Sequence, residues 1–468
     1  MLKILIWGTG VYAQKYVLGY HKQMQYFSDI QCFIDNDEKK RELSFYGYRV
    51  ISYNQSIQYE YDYIVIMNSY EKEIRQQILK STGSDEKVLT LNDYFRLFIE
   101  TGYWNNTRVL FIGDRMNYDL VKYRAMHTFL EINYLEDIDD IEKYRFDVIF
   151  ICPPRLLSKE ATECYERSIR KRIYSAAHIR REAVFGVEEW MNYFLCDRRI
   201  KGGNINSDST FLIIGAFDPT LGFGNIIKIV LSSITYAKKH DMIPVVDMQN
   251  TVSQYLKEEL LGKHNAWEDF FEAVSEYKLE DAYCSKNIIL TGIYGHMECD
   301  MNYKDIALKT HVKNYINNVY TSLFPKSSKV LGVIYRGTDY NVAAGHTLPM
   351  AIDAYIKYIE RYLKKIGYEY IFLATEVEEA AVEFKNHFAD KVFFTNQKRY
   401  SKNERRWLYS VQFERENDTY LRGLEYLTVL ELLSNCDSLI GSNTGGLRAA
   451  IVMNDNNYEY VEIIPPTI

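Results

Sequence analysis

The feature that most constrains this chain is a recurring unit in which a short, unbroken apolar run stops at a glycine or polar residue and gives way to a helix-spaced segment. It appears at Lys3 to Trp7 before Gly8, at Arg108-Val-Leu-Phe-Ile-Gly113, at Phe211-Leu-Ile-Ile-Gly215, at Val330 to Tyr335 before Arg336, and at Ser438-Leu-Ile-Gly441. Runs of this kind read as buried strands, and strands joined through helices lie parallel in one sheet. The expected class is α/β, with several Rossmann-like units in series.

The order of units suggests four regions. Residues 1–104 read as βαβαβ: strands at Lys3 to Trp7, Ile30 to Ile34 and Tyr63 to Met67. Residues 105–200 echo them with Arg108 to Gly113, Glu131 to Leu135 and Asp147 to Cys152, followed by a charged helical connector. The run Arg198-Arg-Ile-Lys-Gly-Gly-Asn-Ile-Asn-Ser-Asp208 is the best linker by its glycines and polar residues. Beyond it, 209–327 and 328–468 read as two Rossmann-type lobes facing one cleft, the second with strands at Val330 to Tyr335, Tyr370 to Thr375, Val392 to Phe394 and Ser438 to Gly441.

Composition removes some classes of function. A formal net charge of −7, with no basic face and no nucleic-acid motif, argues against a nucleic-acid partner. No apolar stretch reaches membrane-spanning length, and the amino terminus is too short an apolar run for a signal peptide. The expected setting is the cytoplasm, with peripheral work at the membrane surface left open. The seven cysteines form no Cys-x-x-Cys pair and read as buried free thiols.

Two groups of residues carry chemistry. In the first region, Gly8-Thr-Gly10 follows a strand, and Asp35 ends the next strand about twenty residues beyond Ala13. That spacing suits NAD(P) or another nucleotide, with pyrophosphate on a helix amino terminus and the acid on a ribose. It equally suits a tight turn without a ligand. The acidic triplets Asp35-Asn-Asp37 and Asp137-Ile-Asp139 spell a metal-binding pattern, but strand-end acids are common in such sheets and no metal is expected. In the last two regions, Gly222-Phe223-Gly224-Asn225 opens a helix and exposes N–H groups to an anion. Arg336-Gly-Thr338-Asp339 follows a strand, where a planar guanidinium suits a diphosphate and Asp339 either holds Arg336 or takes a proton. Thr375 and Glu376 end another strand, Glu376 as a base, an orienting group or simply the start of an acidic helix. Ser442-Asn443-Thr444-Gly-Gly446 forms a second anion cradle before the last helix. The basic run Lys398 to Arg406 reads as a solvated loop or a contact for an acidic surface.

Taken in order, Gly222 to Asn225, Val333-Ile-Tyr-Arg336-Gly-Thr-Asp339, Phe372 to Thr375 and Leu432 to Asp437 through Ser442 resemble the fucosyltransferase superfamily, which includes α1,6-fucosyltransferases and protein O-fucosyltransferases. The resemblance covers the chain from Ser209 onward. It implies a GT-B-type pair of lobes and inverting, metal-independent transfer from a nucleotide sugar, GDP-fucose first, to a glycan or lipid-linked oligosaccharide acceptor. By the same resemblance Arg336 holds the β-phosphate, Asn225 lies beside donor and acceptor, and Ser442 and Asn443 bind phosphate. Gly337 stands where the family often has a second arginine, and Ile334 where it has a histidine that reads guanine. The motif therefore points more directly to a diphosphate than to GDP. Two other readings stay open: an NAD-dependent sugar-nucleotide-modifying enzyme centred on Gly8 to Asp35, and a non-catalytic sugar-nucleotide sensor.

Overall fold

The computed structural model describes residues 2–464 except 11–12, 14–23, 26, 42, 69, 92, 95–96, 98–105, 127, 155–156, 178, 192–193, 195–196, 201, 216–217, 219, 293–294, 297–299, 339–348 and 405. The chain divides into two compact units, Met1–Lys201 and Gly202–Ile468. Both are α/β with mainly parallel sheets.

The first unit holds two sheets of the same design. One contains β1 (Leu2–Trp7), β2 (Ser28–Ile34), β3 (Ser44–Phe45), β4 (Tyr48–Ile51), β5 (Tyr63–Ile66) and β6 (Val88–Thr90), in the order β3-β4-β2-β1-β5-β6. The other contains β7 (Arg108–Gly113), β8 (Glu131–Leu135), β9 (Val148–Cys152) and β10 (Val184–Phe185), in the order β10-β9-β7-β8. In the first, β1 lies between β2 and β5, and in the second, β7 lies between β8 and β9, the arrangement that right-handed crossovers through helices produce. The described helices include α1 (Glu71–Thr82) in the first half, and α2 (Arg115–Met126) and α3 (Lys159–Ala176) in the second. The internal echo in the sequence is thus an echo in topology. It extends to one glycine in each half: Gly8 at φ +128° and Gly113 at φ +121°, each ending the central strand against a neighbouring carbonyl, of Met67 and Cys152 respectively. A short strand, β11 (Arg198–Arg199), follows and belongs to neither of these two sheets.

The second unit opens with β12 (Ile205–Gly215), which begins well before the expected Phe211 and takes up part of the expected linker. Its first residues are polar and exposed, so no apolar run marks them. β12 lies between β13 (Met242–Asp247) and β14 (Ser285–Leu290), parallel to both. The helix α4 (Phe223–Lys239) packs on this sheet, and α5 (Thr310–Leu323) leads to the second lobe. That lobe is a five-stranded sheet of β15 (Val330–Tyr335), β16 (Tyr370–Thr375), β17 (Val392–Phe393), β18 (Ser438–Ser442) and β19 (Tyr460–Ile464), in the order β17-β16-β15-β18-β19, every adjacent pair parallel. Its described helices include α6 (Ile352–Ile366), α7 (Glu378–Phe388), α8 (Asp418–Ser434) and α9 (Gly445–Met453).

One apolar core runs through both lobes of this unit. It joins Leu212 and Ile214 of β12, Phe223 and Ile227 of α4 and Phe270 to Ile334 of β15, Leu427 of α8, and Leu447 and Ala449 of α9. Burying a large apolar side chain contributes about 1.5–3 kcal/mol, so a shared core of this extent fixes the two lobes against each other.

Candidate functional site

The order of the second sheet determines where a ligand fits. From β15 the chain winds outward to β16 and β17, then returns to β18 and β19 on the other side of β15. The winding reverses between β15 and β18, and in open parallel sheets the crevice outside the carboxyl ends at such a reversal binds ligands. Arg336 directly follows β15, and Ser442 is the last residue of β18. Their strands are hydrogen-bonded neighbours, with Ile334 opposite Gly441. Two of the loops singled out in the sequence therefore share one crevice.

The Arg336 loop is anchored from β16. Glu376, only 9% exposed, accepts hydrogen bonds at Oε1 from the Gly337 N–H (2.9 Å) and the Thr338 hydroxyl (3.0 Å), and Arg336 Nε lies 3.6 Å from the same oxygen. A carboxylate committed in this way anchors the Arg336 loop. It does not start the helix, since α7 begins at Glu378. Thr338 and Thr375 also turn inward: Thr338 is fully buried on Glu376, and the Thr375 hydroxyl accepts from the Val377 N–H (3.1 Å). A β-carbon on Gly337 would lie 2.8 Å from the Tyr335 ring, so the loop is packed around glycine at this position. Ile334 is buried in the core. Asp339 lies outside the described residues.

The first lobe contributes the amino terminus of α4. Gly222 is its cap residue, Phe223 is fully buried against Tyr255 and Phe270, and Gly224 is buried within the helix. Phe223 and Gly224 thus both serve packing at the start of α4. Gly224 sits where a β-carbon would be 3.0 Å from the Gly445 carbonyl oxygen and 3.2 Å from Ala449 Cβ. A larger residue there would have to push α4 and α9 apart by a few tenths of an ångström. The same crossing sets the Asn225 carboxamide against Gly445, whose own β-carbon would fall 2.5 Å from Asn225 Oδ1. Among the described residues, that carboxamide and the Ser442 hydroxyl have no hydrogen-bond partner. Thr444, by contrast, caps α9 by accepting from the Leu447 N–H (3.2 Å), and the Asn443 side chain accepts from Arg448 Nε (2.7 Å).

Several neighbours had no signal in the sequence. Tyr400 joins the edge at Glu376, its N–H donating to the Glu376 carbonyl (2.8 Å) and its carbonyl accepting from Glu378 (2.9 Å). Burial pushes its phenol upward in pKa, while Arg336 is close enough to oppose that shift and Glu376 close enough to add to it. Arg415 and Arg422 clamp Asp418, and Arg415 also forms a two-pronged pair with Glu425 (2.6 and 3.0 Å). These pairs fix the start of α8 beside the crevice. The basic run is not a uniform solvated patch: Arg399 folds back on the Thr395 carbonyl (2.6 Å) over the Phe394 ring, and Arg406 pairs with Glu404.

The acidic loop ends of the first unit are occupied by the protein itself. The Asp35 carboxylate accepts from the Thr9 N–H (3.2 Å) and hydroxyl, the Asp37 N–H (2.9 Å) and Lys40 Nζ (3.1 Å). Burial raises its pKa, but these donors outweigh burial and hold it below the ordinary carboxylate value. Asp35 thus closes onto the Gly8–Gly10 turn it was expected to accompany in ribose binding. A β-carbon on Gly10 would meet nothing within 4 Å among the described residues. Asp137 and Asp139 both pair with Arg172 (2.6 and 3.2 Å). Among the described residues no group of three or more His, Cys, Asp or Glu is arranged to hold a metal, and no helix is long and apolar enough to cross a membrane. Cys32, Cys152 and Cys436 are buried as expected, whereas Cys164 and Cys284 are exposed.

A family model described as C2185-like, N-terminal, matches residues 1–89. No curated protein matches the chain. Similar solved structures include fucosyltransferase NodZ from Bradyrhizobium, at 14% identity and a TM-score of 0.36, covering 52% of this chain and 93% of that one. The NodZ alpha-1,6-fucosyltransferase co-crystallized with GDP aligns at 14% identity and a TM-score of 0.37, over 52% of this chain and 92% of that one. POFUT1 in complex with GDP aligns at 8% identity and a TM-score of 0.26, over 77% and 98%.

Proposed function

We propose that residues 202–468 form a metal-independent inverting glycosyltransferase acting on a nucleotide diphosphate sugar, with GDP-fucose the first donor to test and a glycan or lipid-linked oligosaccharide as acceptor. The observation that carries this reading is the placement of Arg336, anchored by Glu376, beside Ser442 at the reversal point, with the unengaged Asn225 carboxamide set against Gly445. These groups, with the N–H groups at the starts of α4 and α9, supply fixed positive charge and dipoles where a departing diphosphate gathers negative charge. In the proposed step, an acceptor hydroxyl oxygen attacks the anomeric carbon from the face opposite the diphosphate. The carbon–oxygen bond to the β-phosphate breaks, and its electron pair stays on the phosphate oxygen. The hydroxyl proton goes to a base, for which Asp339 is proposed because Glu376 is committed to the loop.

The test is release and transfer of sugar from a panel of GDP-, UDP- and CDP-sugars by wild type and Arg336→Ala. Wild type should turn over one donor class, and the variant should lose about a hundredfold or more in rate, as removal of a preorganised charge-stabilising donor typically does. Equal rates, or no donor bound, would sink the reading. Tight donor binding without turnover for any acceptor would identify a sensor instead.

A further inference from the structure

A cavity of about 630 Å³ opens beside β13, the edge strand of the first lobe of the second unit, and none of the residues lining it belongs to the crevice at Arg336 and Ser442. That volume lies within the ~300–1,000 Å³ that small-molecule sites occupy. Its floor is apolar: Val245, Val246 and Leu279 are buried, and the Tyr277 ring is half-buried against Phe211, with centroids 5.0 Å apart. Its rim is polar. Two rim groups are already paired, Lys309 with Glu272 (2.9 Å) and His264 with Asp269 (2.8 Å). The exposed side chains of Glu276, Lys278 and Glu280 form no ion pair among the described residues, so free acceptors and a free donor stand side by side. A phosphate would meet the acids there, and a compact cation would meet the lysine. A neutral ligand rich in hydroxyls finds partners in both. A peptide strand cannot extend the sheet at this edge, because Pro244 has no N–H and the Asn265 carboxamide already donates to the Val246 carbonyl (2.9 Å) and accepts from the Met248 N–H (2.9 Å). Packing joins the cavity to the start of α4: Trp267, which lines it, stacks on Phe271 (4.2 Å), and Phe271 stacks on Phe223 (6.1 Å), the first residue of the helix that carries Asn225.

We propose that this cavity binds a neutral saccharide segment of the acceptor, away from the hydroxyl that reacts. A pyranose ring has apolar C–H faces and a belt of hydroxyls. The faces suit the floor at Val245, Val246 and Tyr277; the hydroxyls donate to Glu276 and Glu280 and accept from Lys278. The saccharide class follows from the cavity itself. Only its assignment to the acceptor rests on the proposed function.

The experiment is saturation-transfer NMR and calorimetric titration of the full chain with phosphate-free malto-, cello-, chito- and galacto-oligosaccharides, with spermidine and pyrophosphate as charged controls. It is run on wild type, Ala273→Trp, Glu276→Ala, Glu280→Ala and Arg336→Ala. Wild type should bind at least one oligosaccharide and neither control at the cavity. Ala273 is exposed on the cavity wall, so a tryptophan there fills the space without disturbing the core, and binding should be lost with the melting temperature unchanged. Each glutamate variant should weaken the saccharide about tenfold, the size of a lost hydrogen bond to a charged group. Arg336→Ala should keep saccharide binding. In transfer assays Ala273→Trp should raise the acceptor KM and leave hydrolysis of the donor by water unchanged. A wild type that binds no oligosaccharide overturns the proposal, as do wild-type affinities in Ala273→Trp and both glutamate variants, or a cavity that takes spermidine or pyrophosphate instead. Saccharide binding lost in Ala273→Trp, with no nucleotide sugar turned over, would keep the cavity assignment and sink the transferase reading. Donor turnover without any cavity-dependent saccharide binding would do the reverse.

Discussion

Asn225 and Glu376 were both expected to be functional from their sequence settings, and the structure separates them by what their side chains already hold. The Asn225 carboxamide has no protein partner among the described residues, so Asn225→Ala should change stability by no more than about 0.5 kcal/mol while sharply reducing sugar transfer. Thermal unfolding and transfer assays on the same preparation check this; a large loss of stability would show that Asn225 serves the fold. Glu376 behaves oppositely. Glu376→Ala strands the Gly337 N–H and the Thr338 hydroxyl in a buried place, and each unsatisfied group costs about 1–3 kcal/mol. Its melting temperature should fall together with nucleotide affinity, because the Arg336 loop loses its anchor. Unchanged stability in Glu376→Ala would return it to the role of a free acid or base.

Among the elements, the crossing of α4 over α9 has the most consequence. Gly224 and Gly445 leave just enough room for the two helix starts to meet, and that contact sets Asn225 of the first lobe against Gly445 of the second. Gly224→Val adds a branched side chain where a single β-carbon is already 3.0 Å from a carbonyl. Overpacking of this kind costs about 1–3 kcal/mol, and the helices must part to relieve it. Donor affinity should therefore fall along with stability. A variant as stable as wild type with normal affinity would show that the approach of the helices is not needed.

For the molecule as a whole, the two units have separate cores, with Leu5, Trp7 and Ile64 in one cluster of the first unit, Leu110 and Ile149 in another, and the shared core of the second unit apart from both. Unfolding should proceed in more than one calorimetric transition. Asp35 supplies a label for one of them, because its lowered pKa binds fewer protons in the folded than in the unfolded chain. The sign follows from linkage: this stabilisation is present above the unfolded carboxylate value of about 3.9 and is lost as pH falls below it toward the folded pKa. Asp35→Asn should lower the transition of the first unit at neutral pH, reduce its acid sensitivity, and leave nucleotide binding by the second unit unchanged. A loss of nucleotide affinity in Asp35→Asn would place a ligand in the first unit after all.

Much of the architecture was legible in the chain because an unbroken apolar run must be buried on both faces. Arg108–Gly113, Val330–Tyr335 and Tyr370–Thr375 are strands at the expected residues. Strands with polar or exposed residues, such as the start of β12 and the edge strand Tyr460–Ile464, give no such signal and were missed. The sequence also located the strand-end loops at Arg336 and Ser442, since small and polar residues interrupt the apolar pattern there. What each side chain in those loops faces was decided by tertiary structure alone. The strand order β17-β16-β15-β18-β19 made neighbours of Arg336 and Ser442 across about a hundred residues of chain, and the glycine-lined helix crossing brought Asn225 to them from the other lobe. Hydrogen bonds then engaged Glu376, Thr338 and Asp35 with neighbouring groups of the protein. A one-dimensional pattern records where a chain is apolar, small or charged; which charges meet, and which are already satisfied, depends on distances that exist only after packing.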